Sequence, residues 1–236
     1  MTTQQQFTPV GAEAGTTSAR LYQAASAIWA AQLEQPFVQA LGNGTLPRAN
    51  FEFYIRQDAR FLEELTRMFA YGAIKSHRPD VMEQMGNLLL NTIRVERELH
   101  QGFAREFGLT LEEMENTPLA PTNYAYTRHL LSIGATGSLA EIITSVLPCA
   151  WIYAEVGRHF TRLGELPEAH PYKTWLATYS APGFEDVGAW LRNTLNELTV
   201  NASAQELKQL EDIFVTSSRY EYMFWDMAWR KETWPV

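Results

Sequence analysis

From about residue 18 onward, apolar side chains return every three to four positions, the period that builds amphipathic helices. Leu21, Ala25, Ile28 and Leu33 mark a first helix with Ser18 as its cap. Pro36 interrupts, Phe37 to Leu41 continues as a short helix, and Gly42-Asn43-Gly44 stops it. Pro47 opens a long helix to about Ser76, with Phe51, Tyr54, Phe61, Leu65 and Phe69 near one stripe. Asp80 starts another that reaches Phe107 and ends at Gly108. Thr110-Leu111-Glu112-Glu113 has the form of a capping box ahead of a short helix. Beyond the loop bracketed by Pro118 and Pro121, a helix runs from Thr122 to Ile133 and breaks at Gly134 to Gly137. Ser138 caps the next, to about Leu163. Pro171 begins a helix to Tyr179, Pro182-Gly183 makes a turn, and Phe184 to Leu198 follows. Ser203 caps a last helix to about Lys231. No stretch alternates as a strand would, and no internal repeat is seen. The pattern predicts an all-α, single-domain bundle of roughly eight to ten helices over residues 18–236, behind a flexible polar tail over residues 1–17.

Composition agrees. Hydrophobic residues are 46% and charged residues 19% of the 236, a globular balance at a length that one core can serve. Aromatic residues reach 12%, enough for a core or pocket walled with rings. A formal net charge of −8, without a Lys/Arg cluster, argues against nucleic acid and against an anionic membrane surface. One cysteine allows no intrachain disulfide and fits the reducing cytoplasm. The N-terminus has neither the charged nor the apolar region of a signal peptide. The uncharged stretch Ile142 to Ala154 contains Pro148, is too short to span a bilayer, and reads as a buried helix.

The candidate chemistry lies in three places. Cys149 follows Pro148, which cannot donate to the carbonyl of Thr144 and should bend its helix, turning the thiol toward a cavity. A small buried hydrophobe is the plain alternative. Glu221 lies in the ring-rich run Tyr220 to Met227, three residues before Phe224. Desolvation among rings would raise its pKa and suit it to acid/base work, unless it is a partly exposed residue beside a packed core. Asp58, beside Gln57, shares a face with Tyr54 and Phe61, so its carboxylate needs a partner: a backbone group, a cation or an amino-bearing ligand. Glu96/His100 and Glu155/His159 have i,i+4 spacing, which suggests surface pairing rather than the Glu-x-x-His of di-iron bundles. No phosphate-binding loop and no Gly-x-Ser-x-Gly elbow is present.

Read together, these segments have a familiar order. Gln57-Asp58, then Leu147-Pro148-Cys149-x-Trp151-x-Tyr153-x-Glu155-x-Gly157, then Trp175-Leu176-x-Thr178-Tyr179, then Ser217-Ser218-x-Tyr220-Glu221-x-x-Phe224-Trp225 resemble the TenA/thiaminase II family. Gln35-Pro36-Phe37-Val38 with Gly42 to Phe51 resembles its N-terminal signature. The resemblance covers nearly the whole chain from residue 18. It implies a haem-oxygenase-like helical fold without haem, metal or other cofactor, a pocket for a pyrimidine, and a cytoplasmic homotetramer. It implies Cys149 as nucleophile and Glu221 as acid/base. It implies Asp58 as anchor for the pyrimidine nitrogens, Tyr126, Tyr153 and Tyr179 as pocket hydroxyls, and Phe224 as a stacking ring. Phe61 stands where many members carry Tyr, so one phenolic contact with substrate is missing there. The implied activity is hydrolysis of 4-amino-5-aminomethyl-2-methylpyrimidine to the hydroxymethylpyrimidine and ammonia, with thiamin a slower substrate, in thiamin salvage. Two other readings stay open: a metal-dependent oxidase on the same scaffold, and a non-catalytic pyrimidine-binding regulator.

Overall fold

The computed structural model describes residues 9–108, 110–162, 164 and 166–236. Ten helices follow one another along these residues, and no strand occurs among them. They are α1 (Thr17–Leu33), α2 (Pro36–Gly42), α3 (Arg48–Lys75), α4 (Pro79–Phe107) and α5 (Leu111–Glu115), then α6 (Pro121–Thr136), α7 (Leu139–Arg162), α8 (Lys173–Tyr179), α9 (Pro182–Leu198) and α10 (Ala204–Arg230). The expected all-α class is the observed one.

Most starts and stops follow the chemistry read from the residues. Thr110 and Glu113 form a reciprocal capping box, as do Ser203 and Glu206. Three boundaries differ. Thr16, not Ser18, caps α1, because the Ser18 N–H is taken by the Asn196 side chain at 2.9 Å. Gly134 does not break α6. It lets the helix press on α3, where an added Cβ would meet Tyr71 at 2.6 Å. Pro182 is the first residue of α9 rather than part of a turn.

The buried helix expected around Ile142 to Ala154 is the centre of the molecule. In α7 nearly every residue from Ile142 to Gly157 is buried, and the helix continues across Pro148. It is long and apolar enough to cross a membrane by length and composition, yet here it is wrapped by α10, α9, α8, α3 and α6. One hydrophobic core joins all of these, with Trp29, Tyr54, Trp151, Trp175 and Trp225 fully enclosed. α3 pairs along its length with α4, and α10 lies against both α1 and α7. Polar ties register these helices: Trp29 donates to Ser218 Oγ at 3.0 Å, and Gln32 to the Ser218 carbonyl at 3.0 Å.

The flexible tail expected through residue 17 is corrected over its described part, residues 9–16; residues 1–8 lie outside the described residues. Pro9 is buried, the Val10 N–H donates to Glu155 Oε1 at 3.0 Å, and the Val10 carbonyl accepts from Trp151 Nε1 at 3.1 Å. Gly11 has φ +84°, and its missing Cβ leaves room for the Arg192 guanidinium, which would otherwise be 2.6 Å away. Arg192 in turn covers the Trp151 ring at 4.6 Å. The segment thus straps α7 to α9, and periodicity could not show it because the ties are backbone groups of a non-helical stretch. Gly11→Val combines a strained φ with this clash. It should cost about 1–3 kcal/mol in chemical denaturation, whereas Gly15→Val, open on all sides, should cost only its backbone strain.

Candidate active site

Between α3, α4, α7, α8 and α9 lies a cavity of about 380 Å³ whose wall includes Asp58, Cys149, Tyr153 and Tyr179. α3 delivers Asp58 from the stripe that carries Tyr54 and Phe61, and all three are buried. The neighbouring Gln57 faces away and does structural work. Its Nε2 donates to the Pro118 carbonyl at 2.9 Å, and its Oε1 accepts from the Ala120 N–H at 3.0 Å. Gln57 thereby fixes the start of α6, which carries Tyr126. α7 delivers Cys149 and, one turn on, Tyr153, whose hydroxyl accepts from Tyr54 at 3.4 Å. Tyr179 ends α8 close to α7 because Gly157 permits it: a Cβ there would lie 2.7 Å from the backbone of Tyr179 and Ser180.

Phe61, Tyr126, Glu221 and Phe224 are not part of the cavity surface. They pack together beside it. Tyr126 Oη donates to Glu221 Oε1 at 2.6 Å. Phe61 meets Tyr126 at 5.0 Å and Phe224 at 5.6 Å between ring centroids. Glu221 is 2% exposed, so of its two sequence readings the desolvated one is observed.

The electrostatics join the two groups. Burial pushes Glu221 up to about 8, against the hydrogen bond from Tyr126 and with the nearby charge of Asp58. Burial alone lifts Asp58 to about 7. Burial, then Glu221, then Asp58 push the Cys149 thiol well above its ordinary range. Glu221, seventy-two residues from Cys149 in sequence, thus lies near enough for its charge to raise the thiol. Burial thus favours the thiol form of Cys149 and the protonated form of Glu221 at neutral pH. One oxygen of Asp58, Oδ2, is buried without a hydrogen-bond partner, as the cavity wall requires of a group that awaits a donor.

The Glu/His pairs fare differently. The side chains of Glu96 and His100 lie outside the described residues. Glu155 does not pair with His159 on the surface. It is buried and engaged by Arg158 and the Val10 N–H, while His159 packs edge-on to Phe160 at 4.9 Å. Among the described residues no group of three or more His, Cys, Asp or Glu is arranged to hold a metal ion. Three polar wall residues escaped the residue-level reading: Asn91, Thr92 and Thr178. Nothing in the spacing of these three separates them from surface polar residues.

A haem-oxygenase-like helical scaffold with a thiol and a desolvated carboxyl on one cavity, and a second desolvated carboxyl beside it, defines a class of small helical proteins. The comparisons agree: a domain from Shewanella denitrificans OS217 described as having a heme oxygenase-like fold superposes with a TM-score of 0.67 at 14% identity, covering 90% of this chain and 92% of that one. The TENA/THI-4/PQQC family model matches residues 22–231, and the chain belongs to that family. It is 38% identical over 220 residues to the aminopyrimidine aminohydrolase of Halalkalibacterium halodurans, covering 92% of this chain and 97% of that one. A TenA homologue protein from P. horikoshii OT3 superposes with a TM-score of 0.83 at 31% identity, covering 91% and 99% of the two chains.

The raised carboxyls also make a stability prediction. Glu221 and Asp58 are neutral in the folded protein over a range where the unfolded chain ionises them. Their contribution is therefore full below about 4 and is lost as pH rises toward 7 and 8. Thermal melting at pH 5 and pH 8 should show Glu221→Gln gaining on the parent protein only at the higher pH. A gain of equal size at both would contradict the buried neutral acid.

Proposed function

We propose that this protein is an aminopyrimidine aminohydrolase that converts 4-amino-5-aminomethyl-2-methylpyrimidine and water to the hydroxymethylpyrimidine and ammonia. The reading rests above all on one observation: the thiol of Cys149 and the carboxyl of Asp58 share the wall of one cavity, and the buried Glu221, held by Tyr126, packs beside it. The family and the aminopyrimidine aminohydrolase relative agree with it. The alternatives receive no comparable support. Glu155, half of one Glu/His pair behind the oxidase reading, is engaged elsewhere, and a mere binder has no need of a coupled thiol.

Each group then has a task. Asp58, with its unpartnered oxygen, accepts from the N–H of the pyrimidine's amino group and so anchors the ring. Glu221, protonated near neutral pH and held by Tyr126, gives its proton to a ring nitrogen and makes the ring electrophilic. Cys149 adds to the ring as its proton passes to the exocyclic amine, and ammonia departs from the methylene carbon. Water then attacks that carbon with Glu221 as base, a C–O bond forms, and the sulfur leaves as the ring regains aromaticity. Tyr153 and Tyr179 line the thiol's side of the cavity, and the Phe61 and Phe224 rings pack against each other beside it. The lone cysteine and the family likeness favour a cytoplasmic setting within thiamin salvage. The half-exposed rings of Tyr124 and Trp234 offer apolar surface for assembly as a homotetramer.

Cys149→Ser should lower ammonia release from the aminopyrimidine by roughly a thousandfold or more at unchanged melting temperature. Near-parental turnover would end the covalent mechanism. The pH profile of kcat/KM should rise as Asp58 ionises near 7 and fall as Glu221 loses its proton near 8, giving a narrow bell whose limbs belong to the coupled set. Glu221→Gln should cost about 10²–10⁴-fold and remove the alkaline limb.

A further inference from the structure

The cavity is longer than the ring it is proposed to bind. Along α3 its wall runs through Asp58, Leu62, Leu65 and Phe69, four residues on one helical face. The eleven residues from Asp58 to Phe69 span about 16 Å at ~1.5 Å per residue, well beyond a six-membered ring with one-carbon substituents. α7 runs in the opposite sense. Tyr54 of α3 meets Tyr153 of α7, and one turn further along α3 Asp58 acts on Cys149, one turn earlier in α7. Val146, a turn earlier again, therefore belongs with the Leu62 and Leu65 end. Leu88 from α4 and Leu191 from α9 complete that end.

The two ends differ in chemistry. Asp58, Cys149, Tyr153 and Tyr179 make the first one polar. The second is walled by aliphatic and aromatic side chains, and its polar neighbours Asn91 and Thr92 are uncharged. Asn91 and Gly183 are both exposed, so the space reaches solvent. With the ring's polar groups satisfied at Asp58 and its reacting methylene near Cys149, a substituent on the exocyclic amine that stays within the cavity lies against the apolar lobe. A charged tail there would lose water and gain no partner, whereas an apolar tail would bury its surface.

We infer that the cavity takes secondary aminomethylpyrimidines whose amine carries an apolar alkyl or benzyl group, and releases that group as the primary amine. The inference rests on the hydrolytic reading above. The step balances as R–NH–CH2–pyrimidine plus water giving HO–CH2–pyrimidine plus R–NH2. The carbon–nitrogen bond breaks, a carbon–oxygen bond forms, and a proton from water ends on the departing nitrogen.

The test compares four compounds on the intact protein: 4-amino-5-aminomethyl-2-methylpyrimidine and its N-butyl, N-benzyl and N-carboxymethyl derivatives. Calorimetry on Cys149→Ser reads binding without turnover, and amine release by the parent protein reads the chemistry. The N-benzyl compound should bind about tenfold tighter than the unsubstituted amine and yield benzylamine, while the N-carboxymethyl compound binds more weakly. In Leu65→Gln the preference for benzyl over the unsubstituted amine should collapse. If the simple amine releases ammonia but the benzyl compound binds no tighter, or the carboxymethyl compound binds as well, the inference is overturned and the hydrolase reading stands. If the benzyl compound binds tighter but no compound is hydrolysed, the apolar lobe is upheld and the hydrolase reading falls.

Discussion

Taking two carboxyls and a thiol out of water within reach of one another is the constraint around which this molecule is organised. Burial is the main cause for all three, and ionised neighbours add to it at Glu221 and Cys149, so the cluster retains protons at a pH where exposed acids have none. A flexible scaffold would relieve this by letting water in. Here the surroundings are large rings in mutual contact: Tyr153 lies 4.7 Å from Trp225 and 4.9 Å from Tyr179, and Tyr126 stacks on Tyr220 at 5.1 Å. The ring-rich composition is thus explained by electrostatics as much as by core filling. The rings keep the dielectric low where proton affinity has to be high.

Around that cluster, the residues of the family pattern divide their labour. Asp58, Cys149 and Glu221 hold protons. Gln57, Gly157, Ser217 and Ser218 hold geometry. Gln57 pins the entry to α6, Gly157 lets Tyr179 approach, and Ser217 meets His129 Nε2 at 3.1 Å. Residues adjacent in sequence therefore serve unlike ends: Gln57 and Asp58 are separated by about 100° on the helix, so one turns to the α5–α6 connection and the other to the cavity.

The helices were legible because burial imposes a period, and the strongest reading was of the stripe Tyr54, Asp58, Phe61 and Leu65, all of which face inward. A carboxylate on such a stripe announces itself, as does Glu221 among rings. What stayed hidden has a common cause. Asn91 and Thr92 matter through the space they border, and Val10 through its backbone, neither of which leaves a mark in residue type. Gly134 misled because a glycine that admits a neighbouring helix looks the same in sequence as one that ends its own. The state of Cys149 likewise depends on charges from α3 and α10, which no local window contains.

The strap at Val10 has a consequence for how the chain reaches its native form. Val10 is bound to Trp151 and Glu155 across more than 140 positions of sequence, and Trp29 is bound to Ser218 across 189. The residues around Val10 and Trp29 thus find these partners only after long stretches of later chain are made. α1 lacks its most extensive partner until α10 has emerged, and long loops of chain must close before those contacts form. A helical protein rich in local contacts would ordinarily fold early and in pieces. This one ties its beginning to its middle and its end, so α7 and α9 are fastened only once α9 is made, and a chain shortened before α10 lacks the Ser218 partner of Trp29.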